Sequence, residues 1–483
     1  MESGFQNRGE EGSQVSAQRV SDGKLFLAGE FVDALDGRTA PVLEKATGRP
    51  MGSYAVGSAA DVDRAVSGAV RAQREWAAAL PDDRAWVLRR AGDILERRAD
   101  EFVDVIMRET GSVRAKAAGE VAAARRKFHE SAALPGRTAG ELLPPFKPGK
   151  TALLQRIPLG VVAVITPWNF PVVLALRPLG PALALGNAVV MKPAELTPIA
   201  GGQLLAEVLV EAGLPASVFN LVTGEGPGAG QPLAEHPDVA MIHFTGSNEV
   251  GRLMARIAAD GFKRTSLELG GDNAFVVLDD ADVAAASACG AWASYEFQGQ
   301  TCISASRHIV HRAVAERYRD AVVARARGIR VGDPCRADVD LGPLISEEQR
   351  DRLHKGIVEA SVAMGARIVE GGSYDGLFYR PTVMVDVTPD MPAFTEEIFG
   401  PVVPITVVDS EEEALELTNS RQALVNAVYT ADLDRGLAFA ERVTCGLVQV
   451  NDAMGRPTGE DDLDEFTRRR FIGLQRTPLS YPY

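Results

Sequence analysis

From Gly160 onward the chain alternates almost wholly apolar runs with helical stretches, and this alternation most limits the folds open to it. Val161-Val-Ala-Val-Ile165, Ala188-Val-Val-Met-Lys192, Val218-Phe-Asn-Leu-Val222 and Met241-Ile-His-Phe244 are the runs. A strand apolar on both faces is a strand covered on both faces, as in a parallel sheet flanked by helices. The order strand, helix, strand, helix is that of a doubly wound sheet of the dinucleotide-binding type. A second alternation begins at Asn273-Ala-Phe-Val-Val-Leu278 and continues through Arg307-His-Ile-Val310, Val402-Val-Pro-Ile405 and Leu447-Val-Gln-Val450. Two α/β units are therefore expected, divided near residue 266, with no internal repeat and no low-complexity linker.

Upstream, the pattern is different. Residues 1–22 are rich in Gly, Ser, Gln and charge, the composition of a mobile tail. Lys24 to Val32 alternates as a strand with a turn at Gly29. Helical periodicity holds from Ala60 to Leu134, broken near Pro81 and Gly111, with the last helix over 113–134 stopped by Pro135-Gly136. Gly136 to Gln155 then reads as a hairpin. The most apolar region, 157–191, is broken by Pro167, Pro171, Arg177, Pro178 and Pro181, so it reads as buried core and not as a membrane span. A net charge of −14 disfavours nucleic acid as a partner. Cys289, Cys302, Cys335 and Cys445 have no paired spacing, so neither a metal site nor a disulfide framework is expected, and a reducing cytoplasm fits. The polar start of the chain shows no apolar signal region.

The chemistry concentrates between Ser266 and Cys302. Ser-Leu-Glu-Leu-Gly-Gly sets Glu268 beside a double glycine, and Gln298-Gly-Gln-Thr-Cys sets a thiol on a small-residue turn. A thiol there can act as a nucleophile, and its own N–H can face a developing oxyanion. Taken alone, Cys302 could equally be a buried small apolar residue, and Glu268 a helix-end or ion-paired acid. Thr166-Pro-Trp-Asn-Phe-Pro171 holds Asn169 on a rigid turn, either as an oxyanion donor or as an ordinary turn residue. Lys192-Pro-Ala-Glu195 puts a base and an acid at a strand end, where a ribose would sit in such a sheet; surface charge is the alternative. Phe244-Thr-Gly-Ser-Asn-Glu-Val-Gly251 follows a strand and opens a helix, so Gly246 and Ser247 can face a pyrophosphate. Glu397-Ile-Phe-Gly-Pro401 adds an acid and a ring in a loop.

In this order, Pro-Trp-Asn-Phe-Pro, Phe-Thr-Gly-Ser, Leu-Glu-Leu-Gly-Gly, Gly-Gln-Thr-Cys and Glu-Glu-Ile-Phe-Gly-Pro resemble the NAD(P)-dependent aldehyde dehydrogenase superfamily, over about Lys24 to Asp452. Leu174-Ala-Leu-Arg-Pro, Asn273 to Asp282, Asp464-Glu-Phe-Thr and Tyr481-Pro-Tyr resemble its benzaldehyde, vanillin and salicylaldehyde branch. The resemblance implies an α/β fold with a Rossmann-type cofactor domain (23–135 and 156–265), an α/β catalytic domain (266–467) and oligomerisation segments (136–155 and 468–483). It implies Cys302 as nucleophile, Asn169 as oxyanion donor and Glu268 as general base for thioester hydrolysis. NAD, with NADP as the alternative, would lie against Ile165, Thr166, Trp168, Lys192, Glu195, Gly246, Ser247, Gly251 and Leu269, with Glu397 and Phe399 at the nicotinamide ribose. A small-molecule aldehyde, aromatic or bulky, is the implied substrate, and a homodimer or homotetramer the implied assembly, with the hairpin and C-terminal strand crossing to a neighbour. Two departures stand out. The usual Gly-rich stretch after Asn451-Asp452 is replaced by a short segment into Leu463, and the usual Tyr-Gly-Leu is replaced by Arg421-Gln-Ala-Leu424. The first leaves open a catalytically impaired NAD-binding homologue; a CoA-acylating enzyme is the other alternative, disfavoured by Glu268.

Overall fold

The computed structural model describes residues 22–137, 139–145, 147–455, 462–476 and 480. The chain opens with the hairpin β1 (Leu25–Leu27) and β2 (Glu30–Val32), turned at Ala28 and Gly29, both with positive φ, and a second hairpin, β3 (Thr39–Leu43) and β4 (Pro50–Ala55). Four helices follow: α1 (Ala59–Ala78), α2 (Pro81–Arg97), α3 (Ala99–Thr110) and α4 (Arg114–Ala132). The single helical run expected from Asp82 to Thr110 is two helices, because the chain leaves helical geometry at Arg98. Gly111, at φ +74°, ends α3, and α4 closes on a short 3-10 turn at Leu134–Gly136. The expected tail falls mainly on residues 1–21, outside the described residues. Asp22 is anchored: its Oδ1 accepts from Ser53 N at 2.5 Å and Ser53 Oγ at 2.8 Å.

The hairpin β5 (Gly140–Leu143) and β6 (Lys150–Pro158) leads into the first large sheet. This sheet contains β7 (Val161–Ile165), β8 (Ala188–Lys192), β9 (Phe219–Leu221), β10 (Val239–Gly246) and β11 (Arg264–Leu269). Its order is β11-β10-β7-β8-β9-β1-β2, parallel from β11 to β9 and antiparallel at β1 and β2. Each apolar run read from the sequence is one of these strands, and β7 and β8 are buried at every position. The crossover helix α5 (Pro171–Ala184) packs on α4, so α4 holds the turn that precedes α5, and α6 (Leu204–Ala212), α7 (Gln231–Glu235) and α8 (Asn248–Asp260) are the later crossovers.

The expected boundary at residue 266 falls inside β11. Thr265 to Leu269 pairs in parallel with Ile242 to Gly246, so Glu268 belongs to the first sheet and the chain crosses to the second over Gly270–Asn273. The second sheet is built from β12 (Ala274–Val277), β13 (Arg307–His311), β14 (Arg367–Glu370), β17 (Thr382–Val385), β18 (Val402–Val408), β19 (Val425–Tyr429) and β20 (Leu447–Val450), in the order β14-β17-β18-β13-β12-β19-β20. A small hairpin, β15 (Tyr374–Asp375) and β16 (Phe378–Tyr379), sits beside it. The C-terminal strand β21 (Thr467–Gln475) pairs antiparallel with β6 of its own chain along its whole length, so it is seated within the chain; the expected hairpin boundary at 155 moves to Pro158. Among the described residues no helix is long and apolar enough to cross a membrane.

One buried side chain ties these parts together. Asn187, fully buried, accepts from Leu159 N at 2.7 Å and Gly160 N at 3.1 Å, and donates to Ala182 O at 3.1 Å and Phe466 O at 3.0 Å. All four of its hydrogen-bonding positions are filled, joining β7, the end of α5 and the approach to β21. Each buried polar group left unpaired costs roughly 1–3 kcal/mol. Asn187→Ala is expected to lower stability by about 3 kcal/mol, read as a lower urea midpoint; an unchanged midpoint would contradict this role.

Candidate active site

Cys302 stands where two cavities meet. One, of about 550 Å³, is lined by Trp168, Asn169, Gly246, Ser247, Glu268, Leu269, Glu397 and Phe399. The other, of about 900 Å³, is lined on one wall by Phe170 and α4 and on the other by Trp292, Tyr295, Glu296 and Phe297. Cys302 borders both, as do Leu174, Arg177 and Leu424. Every member of the sequence-derived catalytic set thus reaches one space. Cys289 lies in α9 (Val283–Tyr295), lines neither cavity, and burial pushes its thiol above the ordinary range.

The loop that carries Cys302 is over-determined. Phe297, Gln298 and Gly299 have φ of +49°, +55° and +66°; non-glycine residues enter this left-handed region at a cost of about 1–2 kcal/mol each. Contacts on all sides hold it. Gln298 donates to Gly111 O at 3.0 Å and Pro343 O at 2.9 Å, and Gln300 Oε1 accepts from Ile345 N at 3.0 Å. A Cβ at Gly299 would strike Gly400 O, so only glycine fits the turn. Asn273 Nδ2 donates to Cys302 O and Ser304 O, each at 2.9 Å, while its Oδ1 accepts from Leu424 N at 3.0 Å and Val425 N at 3.1 Å.

Asn169 is oriented for donation. Its Nδ2 gives one hydrogen to Gln300 O at 3.1 Å, and its Oδ1 accepts from Phe170 N at 3.1 Å, which leaves the second amide hydrogen for the cavity. Its backbone carbonyl accepts from Lys116 Nζ at 2.7 Å. Lys116 is buried, pairs with Glu120 Oε2 at 2.6 Å, and lies 4.1 Å and 4.2 Å from the ring centres of Phe170 and Phe297. Glu120 Oε1 accepts from Val172 N at 2.8 Å and Val173 N at 3.3 Å, satisfying two open donors at the start of α5. Burial lowers the Lys116 ammonium, and Glu120 opposes that shift.

The double glycine has a steric cause. A Cβ at Gly270 would strike the Glu397 carboxylate, and one at Gly271 would lie 2.9 Å from Ala423 Cα and Leu424 N. Glu397 is raised to about 7, first by burial and then by the nearby charge of Asp272. Arg352 donates to Glu397 O at 2.7 Å and Ile398 O at 3.0 Å, and Gln349 donates to Phe399 O at 2.8 Å. Arg352, Gln349, Leu424 and Arg177 are cavity residues that sequence reasoning did not select.

The remaining sequence-derived positions, Ile165, Thr166, Lys192, Glu195 and Gly251, do not line the smaller cavity. Ile165 and Lys192 end β7 and β8, where Thr166 N donates to Lys192 O at 3.2 Å. The buried Lys192 ammonium bonds Glu195 Oε2 at 3.2 Å. Gly251 sits where any Cβ would meet Leu269, so its role is packing α8 (Asn248–Asp260) on β11. Ser247 caps α8, accepting from Val250 N at 3.3 Å. Among the described residues, the buried hydroxyls of Thr166 and Thr245, at the C-terminal ends of adjacent strands β7 and β10, have no protein partner. Orphaned hydroxyls, an acid at a strand end and a helix start on one sheet edge suit a dinucleotide. Arg421, in the segment that departs from the expected motif, bonds Asp272 Oδ2 at 3.0 Å and braces the same seam. The other departure, after Asp452, runs mostly through residues 456–461, outside the described residues.

The family model described as "Aldehyde dehydrogenase family" matches residues 31–461. The benzaldehyde dehydrogenase [NAD(+)] of Pseudomonas putida is 41% identical, the alignment covering 97% of this chain and 100% of that protein. The vanillin dehydrogenase of an Amycolatopsis strain is 43% identical over 92% and 96% of the two chains. Among solved structures, an NAD-dependent benzaldehyde dehydrogenase from Corynebacterium glutamicum superposes with a TM-score of 0.88 at 38% identity, covering 94% of this chain and 98% of that one. The betaine aldehyde dehydrogenase of Staphylococcus aureus in complex with NAD+ gives 0.92 at 28% identity over 95% and 96%. Fold, two-cavity site and whole-length similarity agree, and the chain belongs to the aldehyde dehydrogenase family.

Proposed function

We infer that this enzyme oxidises aryl aldehydes to carboxylic acids with NAD, using Cys302 as nucleophile and Glu268 as general base. The observation that carries this is the position of Cys302 between a ring-lined cavity of about 900 Å³ and a second cavity holding Glu268, Glu397 and Phe399. The first is large enough for an aromatic substrate and presents Phe170, Trp292, Tyr295 and Phe297 to its ring. The Cys302 sulfur attacks the aldehyde carbon, and the oxygen that gains charge lies between the free Asn169 amide hydrogen and the Cys302 N–H. Thr166, Lys192, Glu195, Gly246 and Ser247 would hold NAD, which when bound would supply the hydride acceptor for oxidation of this adduct to the thioester level. Glu268 then takes a proton from the water that attacks the thioester carbon, releasing the acid and the free thiol. Self-association fits the three-stranded sheet, where Leu142, Leu153, Ile472 and Leu474 share one face and Leu142 and Leu474 are 72% and 50% exposed.

NADH formation from benzaldehyde and NAD, followed by absorbance without CoA, is the direct test; no NADH would overturn the assignment. Cys302→Ala is expected to abolish turnover while NAD binding, followed by fluorescence, stays near wild type; near-normal turnover would remove Cys302 from the reaction. Glu268→Gln is expected to give a burst of NADH near one equivalent followed by turnover slowed roughly 10²–10⁴-fold; loss of the burst itself would place Glu268 earlier in the reaction. Glu195 neutralises Lys192 and adds a carboxylate where a 2′-phosphate would lie. Glu195→Gln should therefore shift the NADP/NAD ratio of kcat/KM towards NADP by about tenfold or more, and an unchanged ratio would place the ribose elsewhere.

A further inference from the structure

We propose that Glu296 reads the substrate ring, accepting a hydrogen bond from a ring hydroxyl and making phenolic aryl aldehydes the preferred substrates. The proposal rests on the aryl-aldehyde assignment above. Glu296 lines the same cavity as Cys302 and precedes it by six residues, joined through the fixed left-handed turn at Phe297 and Gln298. Its carboxyl is half-buried and makes no hydrogen bond or close ion pair among the described residues.

The other carboxylates lining this cavity, Glu120 and Asp340, are already engaged. Glu120 accepts from Lys116 and from two backbone donors of α5, and Asp340 is bonded by Arg330 at 2.9 Å. Lys116 is committed to Glu120 and the Asn169 carbonyl, so it acts on Glu296 through its field alone. Burial raises the Glu296 carboxyl, and Lys116 opposes that shift. An open carboxylate thus stands among Trp292, Tyr295, Phe297 and Phe170, in a cavity that Arg177 and Arg325 also line.

A site holding a buried polar group favours the ligand that satisfies it and rejects the analogue that leaves it unpaired. With the aldehyde carbon at Cys302 and the ring among these aromatic side chains, a hydroxyl on the ring supplies the missing donor. A ring carboxylate would instead meet like charge, and an unsubstituted ring would strip water from Glu296 and return nothing.

The test is kcat/KM for benzaldehyde, 3-hydroxybenzaldehyde and 4-hydroxybenzaldehyde with the wild type, Glu296→Leu and Glu296→Gln. At least one hydroxy isomer should be preferred over benzaldehyde by the wild type. Glu296→Leu should lower that preference roughly 10–100-fold, the range of a hydrogen bond to a charged group, chiefly through KM, with benzaldehyde kcat kept. Glu296→Gln, still an acceptor, should fall between the two. An unchanged preference in Glu296→Leu overturns the role of Glu296, as does loss of benzaldehyde turnover in both variants. Absence of NADH from all three aldehydes with the wild type overturns the enzyme assignment itself, which separates the two failures.

Discussion

The geometry of the site depends on one carboxamide. Asn273 is 1% exposed and spends its full hydrogen-bonding capacity on four backbone groups, two of them the carbonyls of Cys302 and Ser304. In a low-dielectric interior each bond is strong and each vacancy expensive, so such a network has one good arrangement. It joins the Cys302 loop to the segment before β19, which also supplies Leu424 to both cavities. Cys302 is therefore positioned by the second sheet, although Glu268 and Asn169, the proposed base and oxyanion donor, come from the first. The left-handed turn at Phe297–Gly299 is tolerated because Gln298, Gln300 and the Gly400 carbonyl hold it on separate sides.

The double glycine is where the two sheets are stitched together. β11 ends at Leu269 and β12 begins at Ala274, so four residues carry the chain from one sheet to the other. Gly270 lets the Glu397 carboxylate come close, and Gly271 admits the backbone of Ala423 and Leu424. Side chains there would push the acid and the Leu424 segment away from the cavity that both line. The opposite wall has an equivalent brace: the buried Lys116 and Glu120 pair fixes the Asn169 carbonyl and the first turn of α5 together. Such a pair contributes little net stability, since burial of both charges offsets their attraction. Its effect here is to fix where Asn169 stands.

Much of this was legible in the sequence because parallel strands covered on both faces leave unbroken apolar runs. The runs at 161–165, 188–192, 218–222 and 241–244 each coincide with a strand, and α8 opens within the Phe244–Gly251 segment that the motif assigned to a helix start. The boundary near 266 was misplaced because β11, an edge strand with Arg264 and Thr265 exposed, mixes polar and apolar residues. Strands β14, β17 and β19 were not read from the sequence. Cys302, Glu268 and Asn169, which line one cavity, could be singled out because each lies in a motif with its own glycine or proline signature. Arg352 and Gln349 lie in no such motif, Arg177 and Leu424 lie in segments noted for other reasons, and only the folded chain brings all four to the cavities. Gly251, which the resemblance puts at the cofactor, packs against Leu269, a contact the sequence did not show.

The central claim is that one thiol, at the junction of the two cavities, carries the acyl group. Acid-quenching a single turnover with benzaldehyde and NAD, followed by peptide mass mapping, tests it directly. The acyl mass is expected on the peptide that contains Cys302, with Cys289, Cys335 and Cys445 unmodified. Acylation of any of those three thiols in place of Cys302, or NADH formed with no acylated peptide at all, would contradict the account.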